Sequence, residues 1–261
     1  MVRYIMTTLT DIYRYPVKSL SPERLEQTEL RPGEGLAYDR QFALALGSSA
    51  ISGNTTEWLP KNNFLVLLRH EKLAGLETSF EDETNTLTIL RRGKQVARGN
   101  LGMGIGRTMI EEFFSAFMGE QGRAKVGGQV KVVRAADGHS LEDQSKRSVS
   151  IINLATLRDI ERVLGSPLDP LRFRGNLYID SGQPWQEFAW LGQDISIGGV
   201  TLRIGERTGR CGATHVNPAT AERDINLLKA LQQGFSHTDC GVFADVTSGG
   251  DISVGDPVSI P

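Results

Sequence analysis

The segment ISIGGVTLRI, residues 195–204, carries the pattern that decides the fold class. Two short runs in which apolar and polar side chains alternate flank Gly198-Gly199, and this arrangement predicts a β-hairpin with a two-residue turn. Alternating runs also occur at ETNTLTIL around Leu87 and at QVKVVRA around Val132. FLVLL, residues 64–68, is a continuous apolar run and predicts a fully buried strand. These patterns indicate a β-rich protein.

Helical periodicity appears in three segments. RTMIEEFFSAFM, residues 107–118, predicts one helix. Asn153 is the predicted N-cap of a second helix, LATLRDIERVL, which Gly165 would end. AERDINLLKALQQG predicts a third helix that ends at Gly234. The side chains expected to face inward are Met109, Ile110, Phe113, Phe114 and Phe117 in the first helix, and Ile225, Leu228 and Leu231 in the third.

The order of these elements predicts a mainly β protein with some helices, of the α+β class. Strands and helices do not alternate regularly, which argues against a doubly wound parallel sheet. The polar, glycine-rich stretch GEQGRAKVGGQ, residues 119–129, follows a helix and precedes new strands. We therefore expect two β-rich domains, residues 1–122 and residues 123–261.

Composition excludes several classes of protein. The chain has 261 residues and a formal net charge of −2, so no global basic field favours nucleic acid or an anionic membrane as partner. No apolar run approaches the roughly 18 residues that span a bilayer. The N-terminal stretch lacks a signal-peptide core, and two cysteines do not form a disulfide framework. These features predict a cytoplasmic protein.

The stretch GERTGRCGATHVNP, residues 205–218, holds Cys211 in a turn after a predicted strand. Three arginines precede it closely in sequence: Arg203, Arg207 and Arg210. Neighbouring cations stabilise a thiolate, and guanidinium groups bind phosphate in a bidentate way. A soft thiolate among arginines is therefore consistent with a thiophilic metal in a cofactor that carries a phosphate. The arginines taken alone are equally consistent with solvated charges at a strand edge.

Two other roles for the same thiol remain open. Cys211 and His215 together with His237 and Cys240 have spacings from which a zinc tetrad could be drawn. A chain of this size does not need a metal in order to fold, however. Cys211 could also be a nucleophile with His215 as its base.

Several motifs in order along the chain resemble the MOSC family, the molybdenum cofactor sulfurase C-terminal domains. RCGATHVNP, residues 210–218, resembles the family motif R-C-x-x-T-x-V-D/N-P, and LRFRGNLYID, residues 171–180, resembles R-F-R-x-N. CGVFADVTSGGDISVGDPV, residues 240–258, is similar to the terminal strands. IYRYPVKSL and GLAYDRQFAL, residues 12–20 and 35–44, resemble a MOSC N-terminal β-barrel domain. The arrangement is similar to the mitochondrial amidoxime-reducing component and its bacterial relatives.

The resemblance implies a MOSC β-barrel-like domain preceded by a smaller β-barrel domain, and a molybdenum cofactor (Mo-pterin). Its metal ligand and catalytic residue would be Cys211. Two stretches depart from the family pattern. These are residues 141–147, where we assign no cofactor contact, and WLPKNNF, residues 58–64, which would alter the substrate rim. The positions that match the family's cofactor contacts are Lys18, Ser19, Arg40, Arg174, Asn176 and Arg210.

The implied function is that of a molybdenum-dependent oxidoreductase that reduces small N-hydroxylated or N-oxide-type substrates. Two cysteines are too few to hold an iron–sulfur cluster with four thiolates, so electrons are expected from a separate ferredoxin- or reductase-type protein. The family also contains sulfurase domains. The alternative is therefore a carrier of molybdenum cofactor or sulfur in which Cys211 holds a persulfide or a transient ligand.

Overall fold

The computed structural model of the chain describes residues 6–259. Those residues form a mostly β fold with four α-helices, as the sequence predicts. The strands are β1 (Thr8–Arg14), β2 (Glu23–Leu25), β3 (Gln27–Leu30), β4 (Phe42–Ala45), β5 (Gly53–Thr55), β6 (Glu77–Glu81), β7 (Thr86–Arg91), β8 (Lys94–Asn100), β9 (Lys131–Ala135), β10 (Val149–Asn153), β11 (Leu177–Asp180), β12 (Asp194–Ile197), β13 (Val200–Gly209), β14 (Asp239–Ser248), β15 (Gly250–Ser253) and β16 (Val258–Ser259). The helices are α1 (Gly104–Lys125), α2 (Leu154–Leu164), α3 (Gln186–Ala189) and α4 (Leu227–Phe235).

One curled sheet of eight strands, in the order β16-β12-β13-β14-β10-β11-β1-β2, forms the larger lobe. The predicted hairpin is confirmed as β12 and β13, with Gly198 at φ 55° in the turn. Alternate side chains of β13, among them Leu202 and Ile204, enter a core that includes Ile151 and Val242. Helices α2 and α4 pack together over a second core that contains Ile160.

The smaller lobe contains two three-stranded sheets, β4-β9-β5 and β6-β7-β8, with α1 packed on β8 and β9. Neither lobe is built from one continuous part of the chain. Strand β1 precedes the smaller lobe in sequence but pairs with β11 of the large sheet. Strand β9 follows residue 122 but pairs with β4. The chain therefore crosses between lobes on both sides of the proposed boundary, which stays a prediction.

The helices confirm some predictions and correct others. Asn153 caps α2 by accepting a hydrogen bond from Ala155 N at 3.1 Å, and Gly165 ends the helix at φ 69°. Helix α1 is longer than predicted and contains a kink at Gly119, where φ is 70°. Met109 does not face inward, since it is 52% exposed. Met118, further along the same helix, is buried.

Helix α4 begins later than the sequence pattern predicts. Asn226 caps it by accepting a hydrogen bond from Lys229 N, so Ile225 precedes the helix. Leu227 and Leu231 are fully buried, and Leu228 is only partly buried. The prediction is confirmed at Leu231, and Ile225 packs partly buried against the same core, but Leu227 takes the buried place expected for Leu228, because the first turn begins at the Asn226 cap.

The FLVLL run is not a strand. Phe64 forms an isolated bridge with Ala45, and the chain then turns, with Arg69 N donating to Val66 O at 3.0 Å. The run is apolar because it lies between two cores, with Phe64 and Val66 in one and Leu65 in the other. Burial on both sides gives the same continuous apolar pattern as a central strand.

No helix among residues 6–259 has the length and apolar character needed to cross a bilayer.

Candidate functional site

A cavity of about 250 Å³ lies between the two lobes. The smaller lobe and the connection after β9 contribute one wall, and the residues that precede β11 and the end of β13 contribute the other. The structure brings all seven residues that the sequence singled out to this one cavity: Lys18, Ser19, Arg40, Arg174, Asn176, Arg210 and Cys211. The functional roles assigned to them remain predictions.

Cys211 follows the end of β13 and precedes a 3-10 turn, Gly212–His215. Its thiol is free and the residue is partly exposed. Its carbonyl oxygen accepts hydrogen bonds from Thr214 N at 3.1 Å and from Thr214 Oγ1 at 2.9 Å. We call residues 211–215 the Cys211 loop. The loop presents a soft potential ligand to the cavity in a defined backbone conformation.

The zinc tetrad is not assembled. No group of three or more His, Cys, Asp or Glu side chains in the described part of the chain is arranged to hold a metal. Cys240 lies in β14 and is fully buried, and burial raises its pKa to about 12. His237 packs against the Trp185 ring with centroids 5.1 Å apart, and its Nδ1 accepts a hydrogen bond from Asp239 N.

The described part of the chain also does not show the contact between Cys211 and His215 that the nucleophile alternative requires. His215 Nε2 lies 3.5 Å from Leu228 N, and no hydrogen bond joins His215 to Cys211 among residues 6–259. Burial lowers the pKa of His215, and the nearby Arg223 and Arg172 guanidinium groups lower it further. His215 therefore faces the start of α4 and does not form a pair with the thiol.

Two arginines pack on one buried aromatic ring at the back of the cavity. The guanidinium carbons of Arg40 and Arg174 lie 4.4 Å and 4.1 Å from the centroid of the Tyr15 ring. Ser19, Arg40 and Arg174 all have positive φ, at 69°, 47° and 51°. Residues other than glycine rarely adopt a positive φ, and those held in this conformation concentrate at binding and catalytic sites. The strain lies at three of the residues that resemble cofactor contacts.

The arginines of the cavity differ in their partners. Arg40 forms an ion pair with Asp39 and donates from Nη2 to Arg174 O at 2.8 Å. Arg174 donates from Nη1 to Leu20 O at 2.8 Å, and its buried Nη2 has no partner in the described part of the chain. Arg210 donates to two backbone oxygens, with Nη1 2.9 Å from Phe173 O. Neither Arg174 nor Arg210 has a carboxylate partner among residues 6–259.

Burial lowers the pKa of both unpaired guanidinium groups, that of Arg174 to about 10. A desolvated cation without a counterion is costly to keep. An anionic ligand in the cavity would provide the missing charge and acceptor. The donor set therefore fits a group that carries both a phosphate and a thiophilic metal.

Lys18 is less free than the resemblance implies. Its Nζ donates to Leu141 O at 2.7 Å and to Asp143 Oδ1 at 2.6 Å. Burial lowers the pKa of Lys18, and Asp143 opposes that effect. Residues 141–147, to which the sequence analysis assigned no contact, therefore do reach the cavity. Glu142, Asp143 and Gln144 line it.

Glu142 is a buried carboxyl group that the sequence analysis missed. It is 8% exposed and has no ion-pair partner within 4 Å in the described chain. Burial and the charge of Asp39 raise its pKa, Arg40, Ser140 and Lys18 oppose them, and the net result is a pKa of about 7. A carboxyl group that titrates near neutral pH beside a cavity is a candidate proton donor. Only the fold could identify it, because residues 141–147 contain two adjacent acids that look solvated in sequence.

Asn176 is committed to the protein itself. Its Oδ1 accepts hydrogen bonds from Ser150 N at 3.1 Å and Ser150 Oγ at 2.8 Å, and its Nδ2 donates to Tyr13 O at 3.2 Å. The side chain therefore links β10, β11 and β1 at the cavity wall. One amide hydrogen remains for a ligand.

Arg172 is a further buried side chain that the sequence analysis quoted but did not assign. It lies in the same LRFRGN motif as Arg174 and lines the cavity. Its Nη1 donates to His215 O at 3.1 Å, and its Nη2 pairs with Asp224 at 2.7 Å. It holds the end of the Cys211 loop. The repeated arginine in the motif was the signal that could have found it.

Comparison with known families accounts for nearly all of the described chain. A family model described as MOSC N-terminal beta barrel domain matches residues 6–121. A second model, described as MOSC domain, matches residues 122–259.

Individual proteins are more distantly similar. The chain is 25% identical to the molybdenum cofactor sulfurase of Drosophila erecta and 24% identical to that of Drosophila melanogaster, each over 89% of this chain. The match spans 31% of the length of those relatives. Among solved structures, the YuaD protein from Bacillus subtilis superposes with a TM-score of 0.45 at 11% identity, over 97% of this chain and 94% of that one. YiiM from Geobacillus stearothermophilus covers 43% of this chain and 53% of its own, with a TM-score of 0.33 at 18% identity.

Proposed function

Because the chain belongs to the MOSC family, we propose that it binds a molybdenum cofactor in the cavity between its lobes, with the Cys211 thiolate as the protein's ligand to molybdenum. The observation that carries this proposal is the buried Arg174 Nη2, which has no partner among residues 6–259, in a cavity that also contains Arg210 and Cys211. Soft sulfur suits the metal, and the guanidinium groups suit a phosphate.

The residues of the cavity divide the work of binding. Arg174 and Arg210 would hold the anionic end, because each has donors left and no carboxylate partner among residues 6–259. Arg40 is already paired with Asp39 and supports the backbone of Arg174. Ser19 and Lys18 lie at the cavity wall of the smaller lobe. Asn176 fixes that wall from the side of the large sheet.

We further propose that the protein reduces a small N-hydroxylated or N-oxide-type substrate. The bound molybdenum centre would supply two-electron redox chemistry. An N–OH group that accepts two electrons and two protons becomes N–H and water, and the electrons would come from a separate ferredoxin- or reductase-type protein. Glu142 is suited to hold one of the protons, since its carboxyl group lines the cavity and stays protonated up to near neutral pH.

Metal and pterin analysis tests the binding proposal. Protein from a molybdate-fed host is expected to contain one molybdenum and one pterin per chain. The Cys211→Ala variant is expected to lose the metal and amidoxime reduction, while Cys240→Ala serves as the matched control that retains both. Full molybdenum content and full turnover in Cys211→Ala would overturn the proposal.

The second candidate function is transfer of cofactor or sulfur. The observation in its favour is similarity to proteins named molybdenum cofactor sulfurase, although the chain spans only 31% of their length. In that case Cys211 would hold a persulfide. Cyanide-releasable sulfur in metal-free protein, lost in Cys211→Ala, would favour the carrier. Stoichiometric molybdenum without such sulfur would favour the reductase.

A further inference from the structure

The Cys211 loop is tied across the cavity by one side chain that lies outside the family motifs quoted above. Arg223 Nη1 donates to Gly212 O at 2.8 Å, next to the cysteine. Its Nη2 donates to Leu68 O at 2.7 Å and Leu67 O at 3.1 Å. Leu67 and Leu68 line the opposite wall of the cavity. One guanidinium group therefore joins the cysteine wall to the wall built by the smaller lobe.

The backbone that carries Arg223 is itself held in place. Arg223 forms an isolated bridge with Val216, and Asn217 N donates to Glu222 O at 2.7 Å in the turn between them. The next residue, Asp224, pairs with Arg172, which also holds His215 O. The loop is thus fixed at both ends, by Arg223 at Gly212 and by Arg172 at His215.

The two walls that Arg223 joins are in contact range. A Cβ placed on Gly212 would lie 3.2 Å from Leu68 Cδ1, so the loop and the turn after Val66 pack closely. Carbonyl oxygens of both segments converge on one cation. A planar guanidinium can donate from two nitrogen atoms to acceptors on both segments, whereas a lysine has one nitrogen atom and cannot reproduce this geometry.

We propose that Arg223 is a positioning residue that sets the place of the Cys211 thiol by clamping the Cys211 loop to residues 67–68. The inference extends the proposed function, because it concerns the thiol assigned there as the metal ligand. Loss of the clamp lets the loop open away from the smaller lobe. The thiol then becomes more accessible to solvent, and the ligand to the metal becomes less well placed.

The test measures the thiol directly and does not depend on bound cofactor. Full-length chain from a host that lacks the molybdenum cofactor is treated with iodoacetamide, and alkylation of each cysteine is followed by mass spectrometry. In Arg223→Ala, iodoacetamide is expected to alkylate Cys211 about fivefold faster than in the parent protein, because local opening becomes easier. Buried Cys240 is the internal standard and is expected to stay protected in both.

Arg203→Ala is the matched control. Arg203 also lies on the surface and joins a backbone oxygen, Gly192 O at 3.0 Å, to the carboxylate of Asp194, but it is not among the residues that line the cavity. In this variant, Cys211 is expected to be alkylated at the same rate as in the parent protein. Equal rates in Arg223→Ala and the parent protein, or equal acceleration in both variants, would overturn the proposal.

Arg223→Lys separates geometry from charge and serves if Arg223→Ala does not fold. It keeps the positive charge but cannot bridge both walls, so accelerated alkylation is expected here too. A parent rate in Arg223→Lys would overturn the clamp. In cofactor-loaded protein, Arg223→Lys is expected to change the Mo(V) electron paramagnetic resonance signal, while a merely structural role would leave it unchanged. Because alkylation needs no cofactor, failure of the clamp and failure of the proposed function give different results.

Discussion

The protein contains two Cys-Gly pairs, Cys211-Gly212 and Cys240-Gly241, and the fold gives them opposite environments. Cys211 is partly exposed at the cavity, whereas Cys240 is fully buried in β14 with its pKa raised to about 12. A single side chain connects them, since Arg210 precedes Cys211 and donates to Cys240 O at 2.8 Å. Placement decides which thiol is available as a ligand, because the two side chains are chemically identical.

The largest expected effect separates the two thiols. Cys211→Ala is expected to lower molybdenum content and amidoxime turnover about 100-fold or more, because the protein would lose the ligand proposed for the metal. Cys240→Ala is expected to keep both and to lose about 1 kcal/mol of stability through a small cavity. Metal analysis and chemical denaturation of the same preparations measure the two quantities. Comparable metal loss in both variants would erase the difference between the pairs.

The glycine after Cys240 is expected to be the next most sensitive position. Gly241 has φ of 77°, and an added Cβ would lie 2.4 Å from Ile151 O, a backbone atom that cannot move aside. Gly241→Ala is therefore expected to cost about 3 kcal/mol of stability. The same Cβ would lie 3.2 Å from Arg210 Nη2, so cofactor retention should fall as well. Urea unfolding measures the stability, and an unchanged midpoint contradicts the prediction.

Glu142 extends the comparison to a second buried acid. Burial raises its pKa from 4.5 to about 7, so unlike Cys240 it titrates in the neutral range. Below pH 4.5 the carboxyl is protonated in both folded and unfolded states. Between pH 4.5 and about 7 the unfolded state releases this proton while the folded state keeps it, so stability is lost as the pH rises across this range and levels off above pH 7.

Glu142→Gln is accordingly expected to be more stable than the parent protein above pH 7, by about 1–2 kcal/mol, and to match it near pH 4.5. Thermal unfolding across this pH range provides the measurement. Asp143→Asn is the control, because Asp143 pairs with Lys18 and its pKa is lowered: burial raises it, but Lys18 outweighs that effect. A stability difference that does not vary with pH would rule out titration of Glu142 in this range.

The smallest expected effect is at the glycine after Cys211. A Cβ on Gly212 would lie 3.2 Å from Leu68 Cδ1, a methyl group of a flexible side chain, and at ordinary contact distance from the His215 ring. Gly212→Ala is expected to cost less than about 1 kcal/mol. Its unfolding midpoint should lie between those of the parent and Gly241→Ala. A cost equal to that of Gly241→Ala would show that the Cys211 loop is as rigid as the core strand.

Much of the fold, and a set of seven candidate residues that the fold places at one cavity, could be predicted from the sequence. The hairpin around Gly198 and the Asn153 cap depend on local backbone rules, and local rules are written in neighbouring residues. The family motifs name Cys211, Arg174 and the other five positions, and the fold brings all seven to one cavity.

Tertiary structure decided what those residues are free to do. Lys18 and Asn176 have partners at Asp143 and Ser150, more than 100 and more than 20 positions away, whereas Arg174 Nη2 has none within residues 6–259. The FLVLL run forms a turn because two cores meet around it. Sequence patterns record which side chains avoid water. They do not record which distant group takes up a charge or a hydrogen bond, since that depends on contacts made only when the lobes close on each other.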